Sequence, residues 1–155
     1  MNYQNAELEI CLGTLNEDHS TQSVVQIEKE ASTIEVRANP HPFCTWIITT
    51  HAPRWKGGQF QEREALEEVY LGILENARNH EIESIAFPAI STGVYHFPLK
   101  EAAKIAASCV YSYLGEHPDC FSRLVWVVFD EKTRYVYQRT FEQLLENSES
   151  SEDLQ

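Results

Sequence analysis

Between Gln59 and Glu146 three amphipathic stretches alternate with two short apolar runs, and that alternation confines the chain to the α/β class. Over Gln59–His80 the apolar residues Leu66, Val69, Tyr70, Ile73, Leu74 and Ala77 recur at helical spacing, while Glu62, Arg63, Glu64, Glu67 and Glu68 mark a solvated face. Ser84–Ile90 is a nearly continuous apolar run, the pattern of a central strand, with Pro88 near its end or at a bulge. Pro98 is placed to open the next helix at its first position. Ala102, Ile105, Ala106, Cys109, Val110 and Tyr113 give that helix its buried stripe, and Gly115 gives it a stop. Leu124–Phe129 predicts the last strand. Asp130 is placed to cap a final helix, in which Tyr137, Phe141, Leu144 and Leu145 keep helical spacing as far as Glu146.

Upstream, Leu8–Leu15 begins with period-2 alternation and predicts a strand ending at Gly13. Ser23–Ile27 and Thr33–Val36 are short β-branched runs, joined by a charged link, Glu28–Ser32, too short for a crossover helix. Cys44–Thr50 reads as a strand buried on both faces, closed by Pro53. The order strand, strand, strand, strand, helix, strand, helix, strand, helix calls for a mixed sheet whose C-terminal half is parallel, with right-handed crossovers. Residues 1–146 are expected to form one domain, and the Ser- and Glu-rich stretch 147–155 a disordered acidic tail.

Charge removes several function classes. In 155 residues, 12 Lys and Arg face 24 Asp and Glu, a formal charge of −12. Such a surface repels nucleic-acid phosphates and anionic membranes alike. No apolar window approaches the ~20 residues of a membrane span, and Met1–Gln4 do not start a signal segment. Cys11, Cys44, Cys109 and Cys120 are dispersed and read as reduced, mostly core thiols. His19, His41, His51, His80 and His117 are dispersed too, so neither a metal nor another cofactor is expected. Trp46, Trp55 and Trp126 read as core or sheet-edge anchors. The expected setting is cytoplasmic.

The chemistry concentrates in Phe87–Lys100. A buried strand delivers the chain into Ser91-Thr92-Gly93 and a helix follows, so backbone N–H groups at the turn can converge on an anion. Gly93 permits close approach or positive φ. The turn lies at the carboxyl end of a central strand, where α/β sheets place their ligands, and a phosphate or diphosphate is the matching ligand.

The run Ser84-Ile85-Ala86-Phe87-Pro88-Ala89-Ile90-Ser91-Thr92-Gly93-Val94-Tyr95, followed by Phe97-Pro98 and Glu101-Ala102-Ala103, resembles the second ligand loop of macro domains. Ile47-Ile48-Thr49-Thr50-His51-Ala52-Pro53, Trp55, Gly57-Gly58 and Val127-Val128-Phe129-Asp130 extend the likeness in the family's order over about residues 34 to 145. The resemblance implies a three-layer α/β/α macro-like fold with a mixed, largely parallel sheet and a shortened N-terminal part. It also implies that Ser91, Thr92, Gly93, Val94 and Tyr95 clasp the diphosphate of ADP-ribose, with Phe129 beside the adenine and Asp130 next to it.

Three departures stand out. His96 occupies a position where the family usually has Gly. Gly13-Thr14-Leu15 replaces the Gly-Asp-Ile whose Asp reads adenine. After Val24-Val25-Gln26-Ile27 the Asn-Ala-Ala-Asn segment, the glycine-rich loop and the helix that hold the distal ribose and catalytic water in the family are missing. Losing two or three strong hydrogen bonds, at roughly 1.5–3 kcal/mol each, lowers affinity by orders of magnitude.

The leading reading is therefore a binding module for ADP-ribose or a related nucleotide diphosphate, catalytically impaired. The second is an ADP-ribosyl or O-acetyl-ADP-ribose hydrolase using Glu28, Glu35 or His96. The third is a protein-interaction subunit with no nucleotide role. The missing helix is expected to bare one apolar sheet face, to be covered by a homodimer contact, a protein partner or a rearranged N-terminal segment.

Overall fold

In a strand, successive side chains point to opposite faces of the sheet, and here the two faces feed cores of unequal size. The computed structural model describes residues 1–153. Its strands are β1 (Asn2–Tyr3), β2 (Ala6–Leu12), β3 (Ser23–Ile27), β4 (Glu35–Ala38), β5 (Trp46–Thr50), β6 (Ser84–Phe87) and β7 (Arg123–Val128). The helices are α1 (Glu62–Asn79), α2 (Leu99–Glu116) and α3 (Glu131–Asp153). The strands form one mixed sheet in the order β1-β2-β7-β6-β3-β5-β4. From β2 to β5 every neighbouring pair is parallel, and the edge strands β1 and β4 run antiparallel.

On one face Leu8, Val25, Ile48, Ile85, Leu124 and Trp126 meet the apolar stripes of all three helices in a single large core. Trp126 stacks on Phe87 with ring centroids 4.7 Å apart and donates its indole N–H to the Tyr70 hydroxyl at 3.2 Å. The one-sidedness follows from topology. The chain steps from β5 to β6 to β7 in a single direction along the sheet, and right-handed crossovers taken in one direction put every connecting helix on the same side.

The opposite face carries a smaller cluster, Val24, Ala86, Val125 and Val127. The expected third layer is thin: Leu15, Phe43 and Cys44, all from loops, pack against this cluster, and none of the described helices does. β3 passes to β4 through residues 28–34, and Ile34 leans on α1 at Gly72, where its Cδ1 leaves no room for a Cβ.

Several local expectations need correction. Pro98 is the residue before α2 rather than its first, because its ψ of 129° is not helical. Gly115 does not stop α2, which continues to Glu116 with His117 after it. α3 runs past Glu146 to Asp153, so the part of the expected tail from 147 to 153 is helical in backbone, while residues 154 and 155 lie outside the described residues. Only Cys109 is a buried thiol, pushed up to about 12 by desolvation; Cys11, Cys44 and Cys120 are half-buried and also raised, again chiefly by burial.

Candidate diphosphate cleft

β6 ends at Phe87, Pro88 stops the ladder, and the chain turns sharply into a short 3₁₀ turn, Gly93–Tyr95. Three residues of this loop have left-handed backbone: Ser91 at φ 68°, Gly93 at 69° and His96 at 60°. The loop holds itself in that shape. Ser91 Oγ donates to the Pro53 carbonyl at 2.6 Å, Thr92 Oγ1 to the Ala89 carbonyl at 2.8 Å, and the Phe97 N–H to the Ser91 carbonyl at 3.0 Å. Both hydroxyls are thus committed to the backbone. The N–H groups of Ser91 and Gly93 donate to no backbone carbonyl among the described residues. A Cβ built on Gly93 meets nothing within 4 Å, so this backbone faces open space.

That space is a cleft of about 580 Å³. Ser91, Thr92, Gly93 and Tyr95 line one side and Phe129 and Asp130 the other; the Val94 side chain lies outside the described residues. Phe129 is 79% exposed, directly after the end of β7. Asp130 accepts the Thr133 N–H at 2.8 Å and caps α3, and that hydrogen bond is the main reason its carboxyl is held below its ordinary pKa. Lys132, in the first turn of α3, also lines the cleft, where it faces a wall whose one carboxylate among the described residues is Asp130. Sequence reasoning missed Lys132 and Thr133, although their position one turn into a capped helix after Phe129 was the available signal.

The preceding segment braces the loop. The Trp55 N–H donates to the Tyr95 carbonyl at 2.9 Å, its ring packs on Phe97, and Arg54 lies over the Tyr95 ring at 5.7 Å. Glu62, expected on the solvated face of α1, is instead buried at 4% exposure. Its carboxylate accepts the N–H groups of Lys56, Gly58 and Phe60. Burial pushes this carboxyl up, but the N–H donors outweigh it and hold it below the ordinary carboxylate range. Gly57 and Gly58, at φ 99° and 89°, give the segment the curvature that aims those donors inward.

The substitutes proposed for catalysis do not gather here. Glu28 pairs with Arg37 at 2.6 Å, Glu35 sits exposed on edge strand β4, and none of Glu28, Glu35 and His96 lines the cleft. His96 is exposed in a left-handed conformation, the backbone region that glycine adopts without strain. Among the described residues no three His, Cys, Asp or Glu side chains cluster as metal ligands, and no helix is long and apolar enough to cross a membrane.

The family model described as Macro domain matches residues 18–106. An O-acetyl-ADP-ribose deacetylase of Klebsiella pneumoniae is 42% identical over 93 residues, 60% of this chain and 53% of that protein. An uncharacterized Fusobacterium nucleatum protein is 43% identical over 101 residues, 65% of this chain and 57% of that one. The chain thus spans little more than half the length of the curated relatives it matches. A point mutant of the Oceanobacillus iheyensis macrodomain superposes with a TM-score of 0.86 at 23% identity, covering 95% of this chain and 97% of that one. From the matched span, the loop at the end of β6 and the shared sheet, the chain belongs to the macro domain family.

Proposed function

We propose that this chain is a binding module for ADP-ribose or a related nucleotide diphosphate. The observation that carries the reading is the self-braced loop Ser91–Tyr95: Ser91 and Gly93, whose N–H groups have no backbone acceptor among the described residues, line a cleft that Lys132 also lines. The exposed Phe129 is the adenine neighbour, and Asp130 fixes the α3 N-terminus beside it. Further support comes from relatives: the Oceanobacillus iheyensis macrodomain has been solved with ADP, and a mutant of it with ADPR. The four free thiols fit a cytoplasmic setting.

Titration of ADP-ribose into the protein by calorimetry, with AMP as control, tests the reading. Binding with Kd below about 1 mM that disappears in Gly93→Glu is the expected result. No heat at millimolar ADP-ribose would overturn it. A second reading, hydrolysis of an ADP-ribosyl ester, is supported by the relatives named O-acetyl-ADP-ribose deacetylase. Release of acetate from O-acetyl-ADP-ribose, lost on Gly93→Glu, is the outcome that would establish it.

A further inference from the structure

Among the described residues that line the diphosphate cleft, Lys132 is the one cation and Asp130 the one carboxylate. The lining is thus balanced in charge, in a chain that carries 24 acidic residues against 12 basic ones. The two carboxylates that precede Lys132 in sequence have other partners: Asp130 accepts the Thr133 N–H at 2.8 Å, and Glu131 pairs with Arg134. Lys132 is exposed and enters no ion pair among the described residues. Its charge acts on the cleft wall, because after the Thr133 hydrogen bonds it is one of the influences that hold the Asp130 carboxyl low. Nor does it serve the helix. The first turn of α3 lies at the positive end of the helix dipole, where a cation is unfavourable.

Resting on the proposed function, we infer that Lys132 sets the phosphate selectivity of the cleft, admitting a nucleoside diphosphate in preference to the monophosphate. The loop Ser91–Tyr95 offers the ligand neutral groups only, which orient a phosphate without balancing its charge. Each added ligand phosphate also meets the repulsion of an acidic protein, and a cation inside the cleft reverses that repulsion over the short range that salt leaves unscreened. With Lys132 neutralised, Asp130 would be the lining's one remaining charge, and the ligand with more phosphate would lose more. An ammonium on a flexible stem suits this task, because it acts as a point charge and needs no fixed fork geometry.

The test titrates ADP calorimetrically into the native chain, Lys132→Gln and Lys132→Arg at two salt concentrations, and reads AMP affinity by displacement of ADP. The native chain is expected to bind ADP about tenfold or more tightly than AMP. Lys132→Gln should lower ADP affinity by about fivefold to tenfold and AMP affinity by less, while Lys132→Arg keeps the native preference. Added salt should narrow the preference of the native chain more than that of Lys132→Gln. The urea midpoint of Lys132→Gln should equal or exceed the native one, since the helix dipole disfavours the cation. Equal affinity of ADP and AMP for the native chain, or an equal effect of Lys132→Gln on both, overturns this inference and leaves the diphosphate reading standing. A lowered urea midpoint together with lost affinity assigns Lys132 to the fold and overturns it as well. Failure of ADP to bind the native chain overturns the diphosphate reading and this inference with it.

Discussion

The indole of Trp55 meets the ring of Phe97 edge-on, with centroids 5.0 Å apart, and so joins the segment before α1 to the loop before α2. Arg63 covers the other side of the indole at 5.0 Å and pairs with Glu101 at 3.1 Å. The ligand loop is thus stiffened from a neighbour remote in sequence. Trp55→Ala is expected to cost about 2–3 kcal/mol of stability, less than a fully buried Trp because the ring is half-exposed. It should also weaken ADP-ribose binding, and Trp55→Phe should restore most of both. Urea unfolding and calorimetry on the two variants check this.

His96 carries the cost of a left-handed backbone that glycine would not. His96→Gly relieves roughly 1–2 kcal/mol of backbone strain and gives part of it back as unfolded-state entropy. A net gain of about 0.5–1 kcal/mol with ADP-ribose affinity unchanged is expected. If affinity falls sharply instead, the imidazole contacts the ligand and the purely conformational role of His96 is refuted.

Tyr137 is wholly buried and its hydroxyl has no hydrogen-bond partner among the described residues. Burial accordingly drives its pKa well above the ordinary tyrosine value. An unsatisfied buried hydroxyl costs about 1–3 kcal/mol, so Tyr137→Phe should raise the urea midpoint by an amount equivalent to about 1 kcal/mol. A loss of stability on that change would reveal an ordered water bonded to the hydroxyl.

The acid limb of stability should report Glu62. Its folded pKa lies below its unfolded value, so the stability it contributes is present above the unfolded value and drains away as pH falls through the folded one. Glu62→Gln is expected to be less stable at neutral pH and to show a flatter decline between neutral and acid conditions. Asp130 contributes with the same sign through its cap on α3, so Glu62→Gln leaves a residual slope. Thermal melts of both proteins from neutral to acid pH compare the slopes.

Helical periodicity locates the three helices, each of which buries one stripe in the large core, and short apolar or β-branched runs locate the central parallel strands. The resemblance to macro domains likewise implies that Ser91–Tyr95 and Phe129 belong to one site, and Ser91, Thr92, Gly93, Tyr95 and Phe129 line one cleft. Glu62 was illegible because a carboxylate in an acidic run reads as solvated, and only a loop bent at Gly57 and Gly58 brings three N–H donors to it. β1 was illegible for a different reason. It has only two residues and exists through the reversal at Gln4 and Asn5, both with positive φ, which pairs Asn2 with Glu7. Pro98 and Gly115 misplaced the ends of α2 because local end signals yield to packing: Leu99 lines the cleft and Tyr113 remains in the core.

That all three helices share one side of the sheet separates the chain into a part that must be kept and a part free to vary. The large core closes through β5, α1, β6, α2 and β7, two crossovers taken in one direction, with α3 after the last strand, while the second face holds only a small cluster covered by loop residues. The loops on the second face, Leu15 and Phe43 among them, can therefore be rebuilt at little cost to the large core, and each remodelling would alter what lies beside the cleft at Ile27 and Pro88 while the loop at Ser91 and Gly93 stayed in place.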